Sequence, residues 1–272
     1  METEMDLQLA DRRALVTGST SGIGAEIARM LAAEGVKVVV HGRDRGRAQA
    51  VAAEIAGTGG DAAVALGDLM TADGIGAVIK AAEQAFGGID ILVNNAGGSN
   101  SSTASGWFET TGEEWTESYR QNTLATVRLA QAFVPAMRDR KWGRVIQISS
   151  RNAISAYAQF GPYGAAKAAL NNLTLSLSKA LAGTGVTSNG IMPGLIYTPL
   201  ADPWFKALAK QQGSDDPKVG QDFALKHVLQ QTVARIGQPR DIAAAVCFIA
   251  SPLCDFMNGT TFRIDGGATP TV

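Results

Sequence analysis

Short apolar segments alternate with longer amphipathic segments along nearly all of this chain of 272 residues. Strands that are apolar on both faces are typical of a parallel sheet that is covered by helices on both sides. Right-handed crossovers between such strands produce a doubly wound sheet, which binds its ligands at the carboxyl ends of the strands. The sequence therefore predicts an α/β fold with a single doubly wound domain and a mostly parallel seven-stranded sheet.

The boundaries of the predicted elements follow from the apolar pattern and from the turn residues between the segments. Strands are expected at residues 14–17, 36–40, 62–66, 89–93, 145–148, 186–191 and 261–264. Helices are expected at residues 22–34, 48–55, 72–86, 113–138 and 241–250, and a further helix is expected to hold Tyr163 and Lys167 and to end at about Leu181. Thr111 and Glu114 have the spacing of a capping box at the start of the long helix. Residues 1–272 are treated as one domain, and residues 1–6 are expected to form a flexible acidic tail.

The composition narrows the class of protein. The net charge is -1 at pH 7, so no overall field would attract nucleic acid or an anionic membrane, and neither is expected as a partner. Cys247 and Cys254 stand without a cluster of histidines, so no metal site and no disulfide framework is predicted. We expect a cytoplasmic protein, because no apolar signal segment and no membrane-spanning run is evident in the sequence.

A glycine-rich segment separates the first strand from the first helix. Its sequence is Gly18-Ser19-Thr20-Ser21-Gly22-Ile23-Gly24. A phosphate needs the close backbone approach that glycine allows, together with the free N–H groups of a helix N-terminus. The spacing differs from the commoner G-x-G-x-x-G, and a flexible turn is the alternative. The position directly between strand and helix favours a dinucleotide-binding site.

The end of the second strand bears on which dinucleotide would bind. A chain that binds NAD places a carboxylate on the adenosine ribose about twenty residues after the glycines. Here the sequence is His41-Gly42-Arg43, and a guanidinium group suits a 2′-phosphate. NADP(H) is therefore favoured, while the neighbouring Asp44 leaves NAD(H) possible. His41 is interpreted as a strand-end residue rather than a ligand.

Tyr163 and Lys167 stand one helical turn apart, so their side chains would share a face of the helix. A free tyrosine has a pKa of about 10, and a neighbouring cation favours its ionised form. Such a pair could exchange a proton near neutral pH. The alternative for an isolated pair is a solvated helix face.

Taken together, these motifs resemble those of the short-chain dehydrogenase/reductase family in its one-domain form, in particular 3-oxoacyl carrier-protein reductases and related carbonyl reductases. The resemblance covers essentially the whole chain. In chain order, the further motifs are Gly67-Asp68-Leu69, Asn94-Asn95-Ala96-Gly97, Ser149-Ser150, Pro193-Gly194 and Asp265-Gly266-Gly267. The resemblance implies a Rossmann-type domain, a nicotinamide cofactor and a homotetramer, and the alanine-rich helix around Ala165 is compatible with close packing.

The resemblance also implies roles for individual residues. Tyr163 would be the general acid or base at a carbonyl or alcohol oxygen, and Ser150, thirteen residues earlier, would hydrogen-bond the same oxygen. Lys167 would lower the pKa of Tyr163 and bind the nicotinamide ribose. Asn122 would hold a water that resupplies protons. The expected cofactor-binding residues are Gly18, Ser19, Thr20, Ser21, Gly22, Ile23, Gly24, Arg43, Asp68, Leu69, Asn95, Ala96, Gly97, Tyr163, Lys167, Pro193, Gly194, Ile196 and Thr198.

Residues 195–232 interrupt the alternation of strands and helices and are expected to form a lid over the substrate. The candidate substrate residues are Arg151, Asn152, Phe160 and Trp204, and the loop at 98–112 adds Trp107 and Phe108. Aromatic residues on a lid suggest a partly apolar substrate. The alternatives are that Trp204 and Phe205 pin the lid to the body and that Arg151 points outward into solvent.

A basic cluster ends the long helix, at Arg138, Arg140, Lys141 and Arg144. Cations at this position suit the helix dipole. The alternative is a docking surface for an acyl carrier protein.

The predicted function is that of an enzyme, an NAD(P)-dependent oxidoreductase that interconverts a ketone or aldehyde and an alcohol in a small molecule. A 3-oxoacyl-[acyl-carrier-protein] reductase is the alternative within the family. A dinucleotide sensor without turnover is the alternative from another class.

Overall fold

The computed structural model describes residues 5–99 and 106–270. These residues form a seven-stranded sheet in the order β3-β2-β1-β4-β5-β6-β7, with every neighbouring pair parallel. The strands are β1 (Arg13–Val16), β2 (Lys37–Gly42), β3 (Ala62–Leu66), β4 (Ile91–Asn94), β5 (Gly143–Ile148), β6 (Val186–Pro193) and β7 (Thr261–Ile264). The helices are α1 (Gly22–Ala33), α2 (Arg45–Gly57), α3 (Ala72–Phe86), α4 (Gly112–Tyr119), α5 (Ala125–Asp139), α6 (Gly161–Ala180), α7 (Asp202–Gln211), α8 (Pro217–His227) and α9 (Pro239–Ala250). The predicted doubly wound fold is confirmed.

The strand order places β1 between β2 and β4, where the direction of winding reverses. In doubly wound sheets, this reversal opens a crevice at the carboxyl ends of the strands. The loops that follow β1 and β4 border the crevice. Residues 1–4 of the predicted tail and residues 100–105 of the predicted substrate loop lie outside the described residues.

Two apolar layers cover the faces of the sheet. One contains Val16 and Val38 together with buried residues of α1, α2 and α9. The other contains Leu15 and Val39 together with buried residues of α3 and α5. Successive strand residues point to opposite faces, so burial of both faces explains the continuous apolar runs.

No helix in the described parts of the chain combines the length and apolar character that a membrane span requires.

The single helix predicted at residues 113–138 is wrong in one respect. α4 ends at Tyr119, Arg120–Leu124 form a turn of π-helix, and α5 follows. Asn122 lies in this turn, and its Nδ2 donates to the carbonyl of Ser118 at 3.0 Å. One extra residue within a turn barely alters an apolar period, so the sequence pattern does not reveal it. The predicted capping box at the start of α4 is confirmed.

The insertion at residues 195–232 contains two packed helices, α7 and α8. Phe205, Ala224, Leu229 and Ile236 form a small buried cluster of their own. Gly220 permits the close helix contact, because a Cβ at this position would collide with the carbonyl of Phe205. The insertion is therefore a compact helical unit.

The basic cluster at the end of α5 has structural roles. Arg140 donates to the carbonyl of Ile89 at 2.6 Å and pairs with Asp90 at 3.2 Å. Arg144 is buried, with its guanidinium carbon 4.6 Å from the centre of the Trp142 ring. The cluster lies at the N-terminal ends of the strands, separated from the crevice by the length of β5, about 20 Å. Arg138 and Lys141 are exposed, so the docking interpretation stays a prediction for these two residues.

We expect Asp90→Ala to lower the free energy of unfolding by about 3 kcal/mol. Asp90 is 6% exposed and accepts hydrogen bonds from Nε and Nη2 of Arg13 at 2.7 and 2.6 Å. Its loss would leave Arg13 and Arg140 without their counter-charge. Urea unfolding at neutral pH measures the effect. Asp11→Asn, which removes the charge of an exposed pair with Lys37 and tolerates the left-handed φ of 62° at this position, is the matched control and should cost less than about 1 kcal/mol.

The same carboxylate makes stability dependent on pH. Burial alone raises the pKa of Asp90, but the hydrogen bonds and charge of Arg13, with the charge of Arg140, outweigh it and hold the pKa below the ordinary 3.8. The stabilisation is therefore complete above the pKa of the unfolded carboxyl and is lost as pH falls through the lower folded value. A stability difference between wild type and Asp90→Ala that did not shrink in acid would contradict this assignment.

Candidate active site

The glycine segment forms a tight turn from β1 into α1 at the crevice. Gly18 and Gly22 have φ angles of 64° and 54°, in the left-handed region. A Cβ on Gly24 would collide with the carbonyl of Gly18 and the side-chain amide of Asn95. Within the described chain, the side chain of Ser21, the N-cap of α1, makes no capping hydrogen bond. The first N–H groups of α1 are therefore available to an anion.

Thr17 and Asn95 hold this turn against the end of β4. The hydroxyl of Thr17 accepts hydrogen bonds from the backbone N–H groups of Asn95 and Ala96, both at 2.9 Å. Nδ2 of Asn95 donates to the carbonyls of Thr17 and Gly18 at 2.9 and 3.2 Å. The structure thus brings the predicted residues Asn95 and Ala96 against the glycine turn, and it gives Asn95 the task of fixing that turn.

The ends of β2 and β3 lie on the other side of the turn. Nδ1 of His41 accepts from the N–H of Gly18 at 2.9 Å, and Nε2 lies 3.2 Å from the carbonyl oxygen of Gly67. The sequence interpretation of His41 as a plain strand-end residue missed these contacts, which join segments far apart in the chain. The hydroxyl of Ser19 is buried and donates to the carbonyl of Val16 at 2.7 Å. Ser19 is fully buried and its N–H donates to the carbonyl of His41 at 2.9 Å, so it shapes the turn rather than facing the crevice.

Arg43 and Asp44 follow β2 and are exposed. The carboxylate of Asp44 accepts from the N–H of Arg47 at 2.9 Å and so caps α2. This cap explains why α2 begins at Arg45, three residues before the predicted start. Asp68 accepts a hydrogen bond from the backbone two residues further on, at 3.0 Å.

The segment after β6 closes the crevice from the side of the insertion. Pro193 is the last residue of β6 rather than the first residue after it. Ile196 is buried and forms an isolated bridge with Gly237. Thr198 reaches the glycine turn, since a Cβ on Gly22 would lie 3.2 Å from its methyl group. The other predicted contacts belong to the same loops or the start of α1: Thr20, Ile23, Leu69, Gly97 and Gly194.

Tyr163 and Lys167 lie one turn apart on α6. The side chain of Ser150 interacts with that of Tyr163 and favours its ionised form. The hydroxyl of Ser150 also accepts from the N–H of Asn152 at 3.2 Å. Ser149, in contrast, is buried and donates to the carbonyl of Lys167 at 3.2 Å. The structure therefore pairs Tyr163 with Ser150, and the neighbouring Ser149 has a backbone partner.

The protonation of this pair follows from burial. Burial raises the pKa of Tyr163 above its ordinary 10.0, and the hydrogen bond with Ser150 offsets part of the rise. This shift of the Tyr163 pKa is opposite in direction to the lowering that the sequence predicts from a neighbouring cation. The reason is distance, because Nζ of Lys167 donates to the carbonyl of Ile148 at 2.7 Å and lies 5.8 Å from the centre of the Tyr163 ring. Burial lowers the pKa of Lys167 to about 8.

Asn122 fixes the backbone beside Lys167. Its Oδ1 accepts from the N–H of Gly98, and its Nδ2 donates to the carbonyls of Gly98 and Ser118, all at 3.0 Å. A Cβ on Gly97 would lie 2.5 Å from this Oδ1 and 3.3 Å from Nζ of Lys167. Both amide protons of Asn122 are thus used, and within residues 5–99 and 106–270 one lone pair of Oδ1 is left as the side-chain group that could hold a water.

Arg151 links the serine turn to the insertion. Its guanidinium donates to the hydroxyl of Tyr157 and to the carbonyl of Leu229 at 3.4 Å. The side chain is partly buried, so the alternative of a freely solvated arginine does not describe it. Arg151 therefore connects the start of the α6 region to the base of the insertion.

The two aromatic residues of α7 differ in burial. Phe205 is fully buried and stacks on Tyr197 with ring centres 6.0 Å apart, so it packs the interior of the insertion itself. Trp204 is 37% exposed and available at the surface. Phe160 precedes α6 and is partly exposed, and Trp107 packs over Gly161 at the start of α6.

Comparisons with known proteins agree with this geometry. The profile of the family described as short chain dehydrogenase matches residues 12–209. The chain is 34% identical over 261 residues to a 3-oxoacyl-[acyl-carrier-protein] reductase of Vibrio cholerae, covering 96% of this chain and 98% of the relative. It is 33% identical over 261 residues to a D-beta-hydroxybutyrate dehydrogenase of Cupriavidus necator, covering 95% and 98%. It is also similar to the structure of an L-sorbose reductase of Gluconobacter frateurii complexed with NADPH and L-sorbose, with 31% identity, a TM-score of 0.92, and coverage of 98% and 100%.

Proposed function

The chain belongs to the short chain dehydrogenase family of oxidoreductases, and from that premise we propose that it interconverts a ketone or aldehyde and an alcohol with NADP(H) as the preferred cofactor. The observation that carries the proposal is the placement of Tyr163 one turn from the buried Lys167 on α6, with Ser150 beside it at the C-terminal ends of the strands. The similarity to an L-sorbose reductase with bound NADPH supports both the cofactor class and the reaction class.

The residues at the crevice fit a nicotinamide dinucleotide. The open N–H groups at the start of α1 suit its phosphates, and a Cβ at Gly24 would fill the space where the backbone folds closely. Asp68 and Leu69 would hold the adenine, while Lys167 and Thr198 would hold the nicotinamide end. When bound, the cofactor supplies the hydride in reduction and takes it up in oxidation.

Tyr163 and Ser150 would handle the substrate oxygen. The raised pKa of Tyr163 keeps its proton in place at neutral pH, so the hydroxyl is ready to donate to the oxygen of a carbonyl as negative charge develops there. Ser150 would donate a second hydrogen bond to the same oxygen and orient it. In the oxidative direction, Tyr163 would accept the proton of the alcohol.

Lys167 would resupply the proton that Tyr163 gives up. Its pKa of about 8 lets it exchange a proton close to neutral pH, which an ordinary lysine does far less readily. Asn122 holds Gly98 in place, and the adjoining Gly97 lies beside Nζ of Lys167. This arrangement supports a proton route from Lys167 toward the loop after β4.

Arg43→Ala should weaken NADPH binding about tenfold or more and leave NADH binding within about threefold of wild type. The guanidinium of Arg43 is exposed at the end of β2, whereas the carboxylate of Asp44 already caps α2. Fluorescence titration with each dinucleotide measures the two dissociation constants. Arg45→Ala, two residues away on α2, is the matched control, and equal losses for both dinucleotides would argue against a 2′-phosphate contact.

Reduction of a 3-oxoacyl group is the narrower candidate, which the similarity to the Vibrio cholerae reductase favours. Arg138 and Lys141 at the end of α5 are exposed and would offer cationic groups to a carrier protein, about 20 Å from the crevice. The acyl group on such a carrier would have to reach the crevice across that distance. A much higher kcat/KM for acetoacetyl thioesters than for free ketones would select this candidate.

A homotetramer remains part of the proposal. Leu175 on α6 and Tyr119 at the end of α4 are exposed, and β7 is the edge strand of the described sheet. These exposed apolar positions support association with further copies of the chain.

The direct test of the proposed function is NADPH oxidation with a panel of sugars, 3-oxoacyl thioesters and aromatic ketones. Turnover of at least one carbonyl is expected. Tight NADPH binding without turnover of any of them would favour a dinucleotide sensor instead.

A further inference from the structure

His41 is a buried histidine that the proposed mechanism does not use. It is 3% exposed and belongs to the last part of β2, where the carboxyl ends of β1, β2 and β3 meet. A buried imidazole is unfavourable unless its ring nitrogens find partners. The partners of His41 therefore indicate what the ring does.

Both ring nitrogens contact the backbone of the cofactor crevice. The N–H of Gly18 donates to Nδ1 at 2.9 Å, and Nε2 lies 3.2 Å from the carbonyl oxygen of Gly67. Because Nδ1 accepts a hydrogen bond, the proton of the neutral ring is on Nε2, which donates to Gly67. A single ring thus links the turn after β1 to the turn after β3.

The backbone of His41 makes a second connection to the same turn. The N–H of Ser19 donates to the carbonyl of His41 at 2.9 Å, and the N–H of His41 donates to the hydroxyl of Ser19 at 2.9 Å. Gly18, the residue before Ser19, has a left-handed φ of 64° and is bonded to the His41 ring. His41 therefore holds two successive residues of the glycine turn.

We propose that His41 is a positioning residue for the adenosine half of the dinucleotide site. It fixes Gly18 of the phosphate turn relative to Gly67, whose neighbour Asp68 would contact the adenine. The inference rests on the proposed dinucleotide binding. Substitution of His41 should therefore change the dissociation constant of the cofactor and not the rate of the chemical step.

The role requires a neutral ring. Burial lowers the pKa of His41, and the charge of Arg43 adds to this, while the hydrogen bond to Gly67 and the charge of Asp68 act in the other direction with the smaller combined effect. A protonated Nδ1 would turn an N–H toward the N–H of Gly18. The neutral tautomer is the form that satisfies both contacts.

The test compares His41→Ala, His41→Asn and His41→Gln with NADPH and with adenosine 2′,5′-diphosphate as probes. Asparagine places an acceptor near Nδ1, whereas glutamine carries its amide further along, toward the position of Nε2. We expect His41→Ala and His41→Gln to weaken both probes about tenfold, and His41→Asn to stay within about threefold of wild type. At saturating NADPH, kcat should stay within about twofold for every variant.

Val38→Ala is the matched control, because it opens a cavity in the same strand without touching the turn. It should lower thermal stability and leave the affinity for NADPH near that of wild type. Equal affinities in His41→Asn and His41→Gln, or wild-type affinity in His41→Ala, would overturn the role of His41. If the alanine variant does not fold, the asparagine and glutamine variants decide the matter. Wild-type protein without dinucleotide affinity would overturn the proposed function as a whole.

Discussion

Tyr163→Phe should lower kcat for carbonyl reduction about a thousandfold and leave the dissociation constant of NADPH within about threefold of wild type. The substitution keeps the ring and its packing on α6 and removes the proton donor. The hydrogen bond with Ser150 is lost as well, so the substrate oxygen would face one donor instead of two. Steady-state kinetics at saturating NADPH and fluorescence titration measure the two quantities separately.

Tyr157→Phe is the control for this experiment. Tyr157 lies six residues away, and its hydroxyl is engaged by Arg151 at the base of the insertion. Its loss should change kcat less than about fivefold, since the hydroxyl is not bound to Ser150. Similar losses in the two variants would mean that the whole segment, and not the proton donor, is responsible for the effect.

Ser150→Ala should lower kcat about a hundredfold, again with little change in NADPH affinity. Ser150 is the donor expected to hydrogen-bond the substrate oxygen and is already bound to Tyr163. Its removal also exposes the Tyr163 hydroxyl to alternative partners. The pH dependence of kcat should therefore shift together with its magnitude.

Ser149→Ala is a closely matched control, because it removes the same group one residue earlier. The hydroxyl of Ser149 is buried against the carbonyl of Lys167 at 3.2 Å, so it should not reach a substrate. We expect kcat to fall less than about fivefold in this variant. The reverse ranking of the two serines would contradict the site as described.

The fold was predictable because its signals are local. The run at Val38–Val40 is apolar on both faces, which requires cover on both faces of the sheet. The glycine turn and the spacing of Tyr163 and Lys167 are likewise contained in short segments. Such features depend on backbone geometry within a few residues, so the sequence predicts them without knowledge of the tertiary contacts.

Other features depend on contacts between distant segments, and the sequence did not reveal them. His41 gains its partners only when β1, β2 and β3 meet. Arg144 is a charged residue in a strand, and its burial beside Trp142 follows from the packing of the amino edge of the sheet. The π-helical turn around Asn122 adds one residue to a helix whose apolar pattern barely changes.

The pKa shift of Tyr163 is a further feature that the sequence did not reveal. Sequence spacing placed a cation one turn away and so predicted a lower pKa. The structure shows that burial outweighs that cation, because Lys167 turns its ammonium group to the carbonyl of Ile148. Spacing along a helix fixes which residues share a face, whereas burial and distance decide the charge that each one feels.

Transfer of label from NADPH that carries deuterium at both hydrogen positions of the reactive nicotinamide carbon tests the central claim most directly. The wild-type enzyme should convert a reactive carbonyl from the panel into an alcohol that carries one deuterium at the former carbonyl carbon, as read by mass spectrometry. Tyr163→Phe should give the same labelled product, only far more slowly. An alcohol without deuterium, or labelled alcohol formed at the wild-type rate by Tyr163→Phe, would contradict hydride transfer with Tyr163 as the proton donor.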